Sequence, residues 1–352
     1  MASVRFVRFA LGAMQSLGMV HLAGHALRGV GVIFCLHQVR PGAGVENGFA
    51  PNYSLACSPD FLSDIIALVR RRGYETMSLG DAVSQLKSGT NATKPFAAFT
   101  LDDGYRDNKM YAQPIFQRHG CPYTIFVAPR IIEDTCELWW RVVELVVAKT
   151  DRFQAVIKGR DIDLPAATVE EKRHAWSVAF SILYHMDEYQ QRKAVRALAA
   201  KYGVSIEGIC REEAMNWNEV REISHDPLCT IGAHTLSHYS LSKLSDADSF
   251  QELQRSRLEI EKGIGKPVLF NAYPYGDKLS ARAREFEFAG KAGYAASVTT
   301  RRGVVFPEHA NHLQALPRIM VSGRFHDIRY MDAFISGLPT ALSNRFTRVS
   351  LD

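Results

Sequence analysis

The sequence holds no C-x-x-C pair; its six cysteines (Cys35, Cys57, Cys121, Cys136, Cys210, Cys229) are scattered over 352 residues. That spacing excludes a zinc ribbon or finger. In a chain long enough to build its own core, it reads as free thiols in a reducing compartment. No apolar run approaches the ~18 residues needed to span a bilayer. Neither sign of charge dominates, since 42 Lys and Arg face 37 Asp and Glu for a net +5. Such a mild balance carries no nucleic-acid footprint, so no nucleic-acid partner is expected. Internal repeats and low-complexity stretches are missing too. The sharpest local absence is at the start: the first 45 residues contain no acid, yet they hold Arg5, Arg8, Arg28 and Arg40.

What is present is ordinary for a globular protein, with 47% apolar and 22% charged residues, 25 Gly and 14 Pro. This length favours one large barrel-type domain, or a domain carrying an insertion, over three small ones. The acid-free start includes an apolar segment, Phe9 to Val20, broken by Gln15 and Ser16 and followed at once by His21 and His25. It lacks a clean A-x-A cleavage site. Residues 1–30 are therefore expected to form a retained amphipathic helix, with 1–28 docked on the domain or resting on a membrane surface. The expected location is cytoplasmic with peripheral membrane contact; an exported protein is the alternative.

From residue 31 onward, short apolar runs alternate with helical stretches. GVIFCL (31–36), ETMSL (75–79), PFAAFTL (95–101), PYTIFVAP (122–129), CTIG (229–232), PVLFNAY (267–273), YAASV (294–298) and ALPRIMV (315–321) read as strands. Helices are expected over 61–73, 110–120, 246–263 and 279–289. Strands separated by helices of this kind imply βα units with parallel strands, closed or nearly closed into a barrel. Residues 133–218 break the rhythm with helical pattern alone, which suggests a helical insertion within a barrel formed by 31–132 and 219–340. Residues 341–352 form a tail.

Three polar segments follow expected strands. In TLDDGYRDN (100–108), an apolar strand ends in Asp102 and Asp103, whose side chains should point to opposite faces. Adjacent carboxylates suit a metal ligand beside a base. In IGAHTLSH (231–238), His234 and His238 lie four apart, within reach of one ion on a helical turn. The spacing alone is weak, because His21 and His25 share it, but the strand end and Gly232 give it context. Asp103 would complete a His₂Asp site with positions left for water and substrate. In FNAYPYGD (270–277), Pro274 presets a turn, and the Tyr275 N–H is available to a developing oxyanion. Trp139 and Trp140 diverge by ~100° on a helix, so at most one, taken as Trp140, would stack on a sugar.

Together these segments resemble the polysaccharide deacetylase family, carbohydrate esterase family 4. TLDDG matches its T-F-D-D-G motif with Leu101 for Phe, HTLSH matches H-[ST]-x-x-H, and AYPYG corresponds to R-x-P-Y-G. The likeness spans about residues 30–325 apart from the insertion. The resemblance implies an α/β fold, a distorted (β/α)7 barrel, acting on N-acetyl groups of amino sugars in a polysaccharide or oligosaccharide. It makes Asp102 the general base, Asp103, His234 and His238 the metal ligands, and Tyr275 an oxyanion donor that also contacts substrate. Zinc is the default ion, and cobalt, nickel or iron also suit this donor set.

Two family residues are missing: the Arg of the third motif is Ala272 here, and ALPRI offers no late L-x-H histidine. His37, at the end of the first strand, is expected to replace the acid, with His312 the alternative. Arg318 is expected to take over holding Asp102. A deacylase or deformylase acting on a glycolipid or nucleotide sugar is the enzyme alternative. A carbohydrate-binding relic is the non-enzyme alternative, and the presence of Asp102 speaks against it.

Overall fold

The structure is a computed structural model that describes residues 4–16, 18–20, 26–43, 48–89 and 94–351. Seven parallel strands close into a ring: β1 (Gly31–Leu36), β2 (Phe96–Leu101), β3 (Tyr123–Val127), β4 (Cys229–Ala233), β5 (Phe270–Ala272), β6 (Ala296–Arg302) and β7 (Leu316–Met320). The neighbours run β1–β7–β6–β5–β4–β3–β2, and β2 returns to β1 in register from Gly31↔Phe96 to Leu36↔Leu101. The short strand Glu75–Thr76 pairs only with the start of β2. This is the closed barrel that the alternation of elements implies, with the seven strands that the family resemblance implies.

Side-chain parity explains what the ring holds. Ile33, Ala98, Phe126, Ala272, Val298 and Leu316 come from six different strands yet form one cluster, which only the barrel interior permits. Their sequence neighbours Val32, Phe34, Ala97, Phe99 and Ile125 belong to a second cluster beneath the surrounding helices. With apolar packing on both faces, these strands read as continuous apolar runs. Two-residue alternation then carries Cys35, His37, Thr100, Asp102 and Arg318 inward near the C-terminal rim, where βα barrels place their sites.

The N-terminal helix α1 (Val4–Ser16) docks on the domain. Its Leu11 is buried, and Val7 and Met14 pack on the same core. Gln15 donates to the Asp332 carboxylate at 2.7 Å and Arg8 to the Arg324 carbonyl at 2.8 Å. Phe6 and Phe9 stay exposed. His21 and His25 lie outside the described residues. No helix among the described residues is long and apolar enough to cross a membrane.

Between β3 and β4 sits the insertion, with α2 (Trp139–Ala148), α3 (Val169–Tyr184) and α4 (Glu188–Lys201) around a core of their own. The expectation of helices alone is overturned here. Arg152–Ile157 and Arg160–Pro165 form an antiparallel hairpin. Its two-residue turn, Lys158–Gly159, has positive φ at both positions, as a right-twisted hairpin requires. The alternation of Phe153, Ala155 and Ile157 was the signal, hidden by charged residues on the outer face. Two other boundaries shift. The helix expected over 279–289 begins at Ala283, because Asp277 accepts from the Leu279 and Ser280 amides and turns the chain first. The strand expected over 294–298 runs from Ala296 to Arg302.

Candidate active site

At the C-terminal rim the three motif segments converge. Asp102 follows the inward parity of β2 and is buried. Its Oδ1 and Oδ2 accept from Nη1 and Nη2 of Arg318, each at 2.7 Å, a bidentate fork. Arg318 is itself buried on β7 and donates also to Thr100 Oγ1 at 2.9 Å and to the Thr299 carbonyl at 2.8 Å. From the intervening strand β1, the Cys35 thiol reaches Asp102 Oδ2 at 3.5 Å. Burial pushes the Asp102 carboxyl up, but the charge and hydrogen bonds of Arg318, joined by the nearby His234 and His37 rings, together hold that carboxyl below its usual range. Thr100 and Cys35 are the residues that sequence reasoning missed here. Only their inward parity could have flagged them.

Asp103 leaves the strand with φ +71°, which turns its carboxylate back to the same rim. Its Oδ1 lies 3.3 Å from His234 Nε2 and 3.1 Å from His238 Nε2, with all three residues buried. Nδ1 of His234 faces the Ala272 carbonyl at 2.7 Å. A carbonyl only accepts, so Nδ1 carries a proton and the Nε2 lone pair is free to ligate. Asp103 Oδ1 has no hydrogen-bond partner among the described residues. A tetrahedral ion with ~2.0–2.1 Å bonds holds its ligand atoms ~3.3 Å apart. The observed separations fit a divalent cation held by Asp103, His234 and His238. Ala272, where the resembled motif carries Arg, supplies a backbone oxygen that orients one of these ligands.

A second triad, Cys35, His37 and Asp102, also brings its donor atoms within 4.8 Å of one another. The Arg318 guanidinium already occupies both Asp102 oxygens, so a second cation there would meet a fixed positive charge. His37 is half-buried, and its Nδ1 has no partner among the described residues. His312 lies at the other rim, before the start of β7, and is not brought to the site.

The turn of the third motif is pinned from two sides. Thr300 Oγ1 donates to the Tyr275 carbonyl, and the Thr300 amide to the Gly276 carbonyl at 3.0 Å. Trp139 Nε1 of the insertion donates to the Tyr275 hydroxyl at 2.7 Å. A Cβ on Gly276 would lie 2.6 Å from the Thr300 nitrogen, so the close approach requires glycine. Tyr275 has φ +63°, and Thr235 and His238 of the second motif are also left-handed. With Asp103, that gathers four strained non-glycine residues at one rim, a pattern typical of functional sites. No partner for the Tyr275 N–H is found among the described residues.

The insertion roofs this site. Trp140 packs its ring 5.1 Å from that of His238 and is only 5% exposed. It therefore has no open face for a sugar, contrary to the expectation from its sequence position. Arg192 of α4 is buried and donates to the Glu137 carbonyl at 2.5 Å and the His238 carbonyl at 3.5 Å, tying the insertion to the second motif.

Comparison with known proteins agrees with this geometry. Residues 171–296 match the family model described as polysaccharide deacetylase, a span that holds the second and third motifs but not the first. No curated protein matches the sequence. Among solved structures, Streptococcus pyogenes deacetylase PplD in complex with acetate is 16% identical, over 86% of this chain and 97% of that one, with a TM-score of 0.54. IcaB from Ammonifex degensii is 17% identical, over 87% and 96%, also at 0.54. The de-N-acetylase from Aggregatibacter actinomycetemcomitans is 13% identical, over 86% and 98%, at 0.52. At these identities the shared feature is the fold. The chain is thus similar to polysaccharide deacetylases over residues 171–296 and shares their barrel fold.

Proposed function

We propose that the protein is a divalent-metal-dependent hydrolase that removes N-acetyl groups from the amino sugars of a polysaccharide or oligosaccharide. The observation that carries this reading is the buried Asp103–His234–His238 set beside a second carboxylate, Asp102, held by Arg318. A cation held by that set supplies Lewis acidity, which polarises a carbonyl and acidifies water. Asp102, kept ionised by Arg318, takes the proton of the attacking water. The Tyr275 N–H donates to the oxygen on which negative charge develops. His37 delivers a proton to the leaving amine from the wall of the same rim. Arg318 does for Asp102 what the missing third-motif Arg does elsewhere in the family.

The test is amine release from N-acetylglucosamine oligomers. Turnover is expected to vanish on dialysis against a chelator and to return on adding zinc or cobalt. Elemental analysis should show His234→Ala stripped of metal, with affinity in the parent falling as pH drops, because the ligands must be deprotonated. Full turnover from protein proved free of metal would overturn the reading.

A further inference from the structure

Trp176, Phe180 and Tyr184 recur every fourth residue along α3 and so share one face of that helix. All three are half-buried. Their rings continue one another, with centroids 4.7 Å apart for Trp176 and Phe180 and 6.0 Å for Phe180 and Tyr184. The run goes on at 5.4 Å to Tyr275 and from there at 5.3 Å to His238. A line of aromatic rings thus leads from the insertion to a residue of the proposed metal site.

These rings flank the insertion core on one side without being closed over by it. The aromatics of α2 that serve the core, Trp139 and Trp140, are 0% and 5% exposed, whereas the α3 rings keep part of their surface open. The inner end is also fixed: Tyr184 donates to Asp277 Oδ2 at 2.5 Å, and Phe180 leans on Trp139 at 4.8 Å. A pyranose offers an apolar C–H face with hydroxyls around its edge, and an aromatic face is complementary to it. From Trp176 to Tyr184 the helix rises about 12 Å, enough for more than one sugar ring.

We infer that this face of α3 is an extended sugar-binding track, which takes up the units of a glucosamine-based chain beyond the one whose amide is cleaved. The inference rests on the site reading proposed above and adds to it a preference for longer chains, written into the insertion. Trp176 is the outermost platform, and only a long ligand reaches it.

The experiment is calorimetric titration of metal-loaded Asp102→Asn protein, which binds without turnover, with N-acetylglucosamine oligomers of two to six units. Affinity is expected to tighten with length. Trp176→Ala should weaken the hexamer about tenfold and the dimer less than about twofold, the scale of one lost stacking contact. Trp176→Phe, which keeps a ring and guards against misfolding, should recover most of the loss. Equal weakening at every length, or affinity that does not grow with length, overturns the track. Length-dependent binding by a wild-type protein that hydrolyses none of these oligomers would instead sink the proposed reaction and leave the track standing.

Discussion

Asp102→Asn is expected to lower turnover by roughly 10²–10⁴ while leaving bound metal close to stoichiometric, because an amide cannot accept the proton from water. Asp103→Asn is expected to lose both activity and metal. The two residues are adjacent in sequence, yet the structure gives them separate surroundings. Asp102 faces a guanidinium at 2.7 Å through both oxygens, and Asp103 faces two imidazole nitrogens at 3.1 and 3.3 Å. An asparagine at 102 still offers one oxygen to Arg318, so the fold should persist and circular dichroism should confirm it. Measured together, metal content and turnover discriminate sharply. Equal metal in both variants would mean that the roles are misassigned. Wild-type turnover in Asp102→Asn would remove it from the chemistry altogether.

The motif residues were readable because each ends an apolar strand, and parallel strands deliver their C-terminal ends to one rim. Asp103, His234 and His238 could be grouped on that basis, although their donor atoms come from two segments 130 residues apart. What holds Asp102 was harder to read. Arg318 is 216 residues away in sequence, and the two meet only because β2 closes back onto β1, leaving β7 two strands from β2. Ring closure is a tertiary event with no local signature. The same limit applies to the insertion. Trp140 looked like a sugar platform by position, but burial is decided by what folds over it, here the rings of Trp139 and His238. Trp176, Phe180 and Tyr184 did carry a four-residue spacing, but an aromatic stripe on a helix usually marks a core. Only the partial exposure of all three distinguishes them.

Arg318→Met is expected to destabilise the fold by about 3–5 kcal/mol at neutral pH, the scale of breaking a buried ion pair and leaving one charge behind. Both partners are almost wholly buried, with side-chain exposures of 0% for Arg318 and 2% for Asp102, so water cannot screen the loss. The size of the effect should depend on pH in a defined direction. In the wild type the Asp102 carboxyl is depressed by Arg318. Its contribution is therefore complete above the unfolded carboxyl value of about 3.9 and fades as pH falls through the folded value. Without Arg318, burial is opposed only by the weaker pull of His234 and His37, and that carboxyl rises. The variant then folds best with Asp102 protonated, and it regains stability as pH falls through the raised value. Urea denaturation at pH 8 and pH 5 should accordingly show a larger deficit at pH 8. Adding Asp102→Asn to Arg318→Met removes the stranded charge and should recover a substantial part of the loss, so the two substitutions are non-additive. A deficit that is the same at both pH values and unchanged by the second substitution would show that Arg318 serves packing, and that Asp102 owes its ionisation to something else.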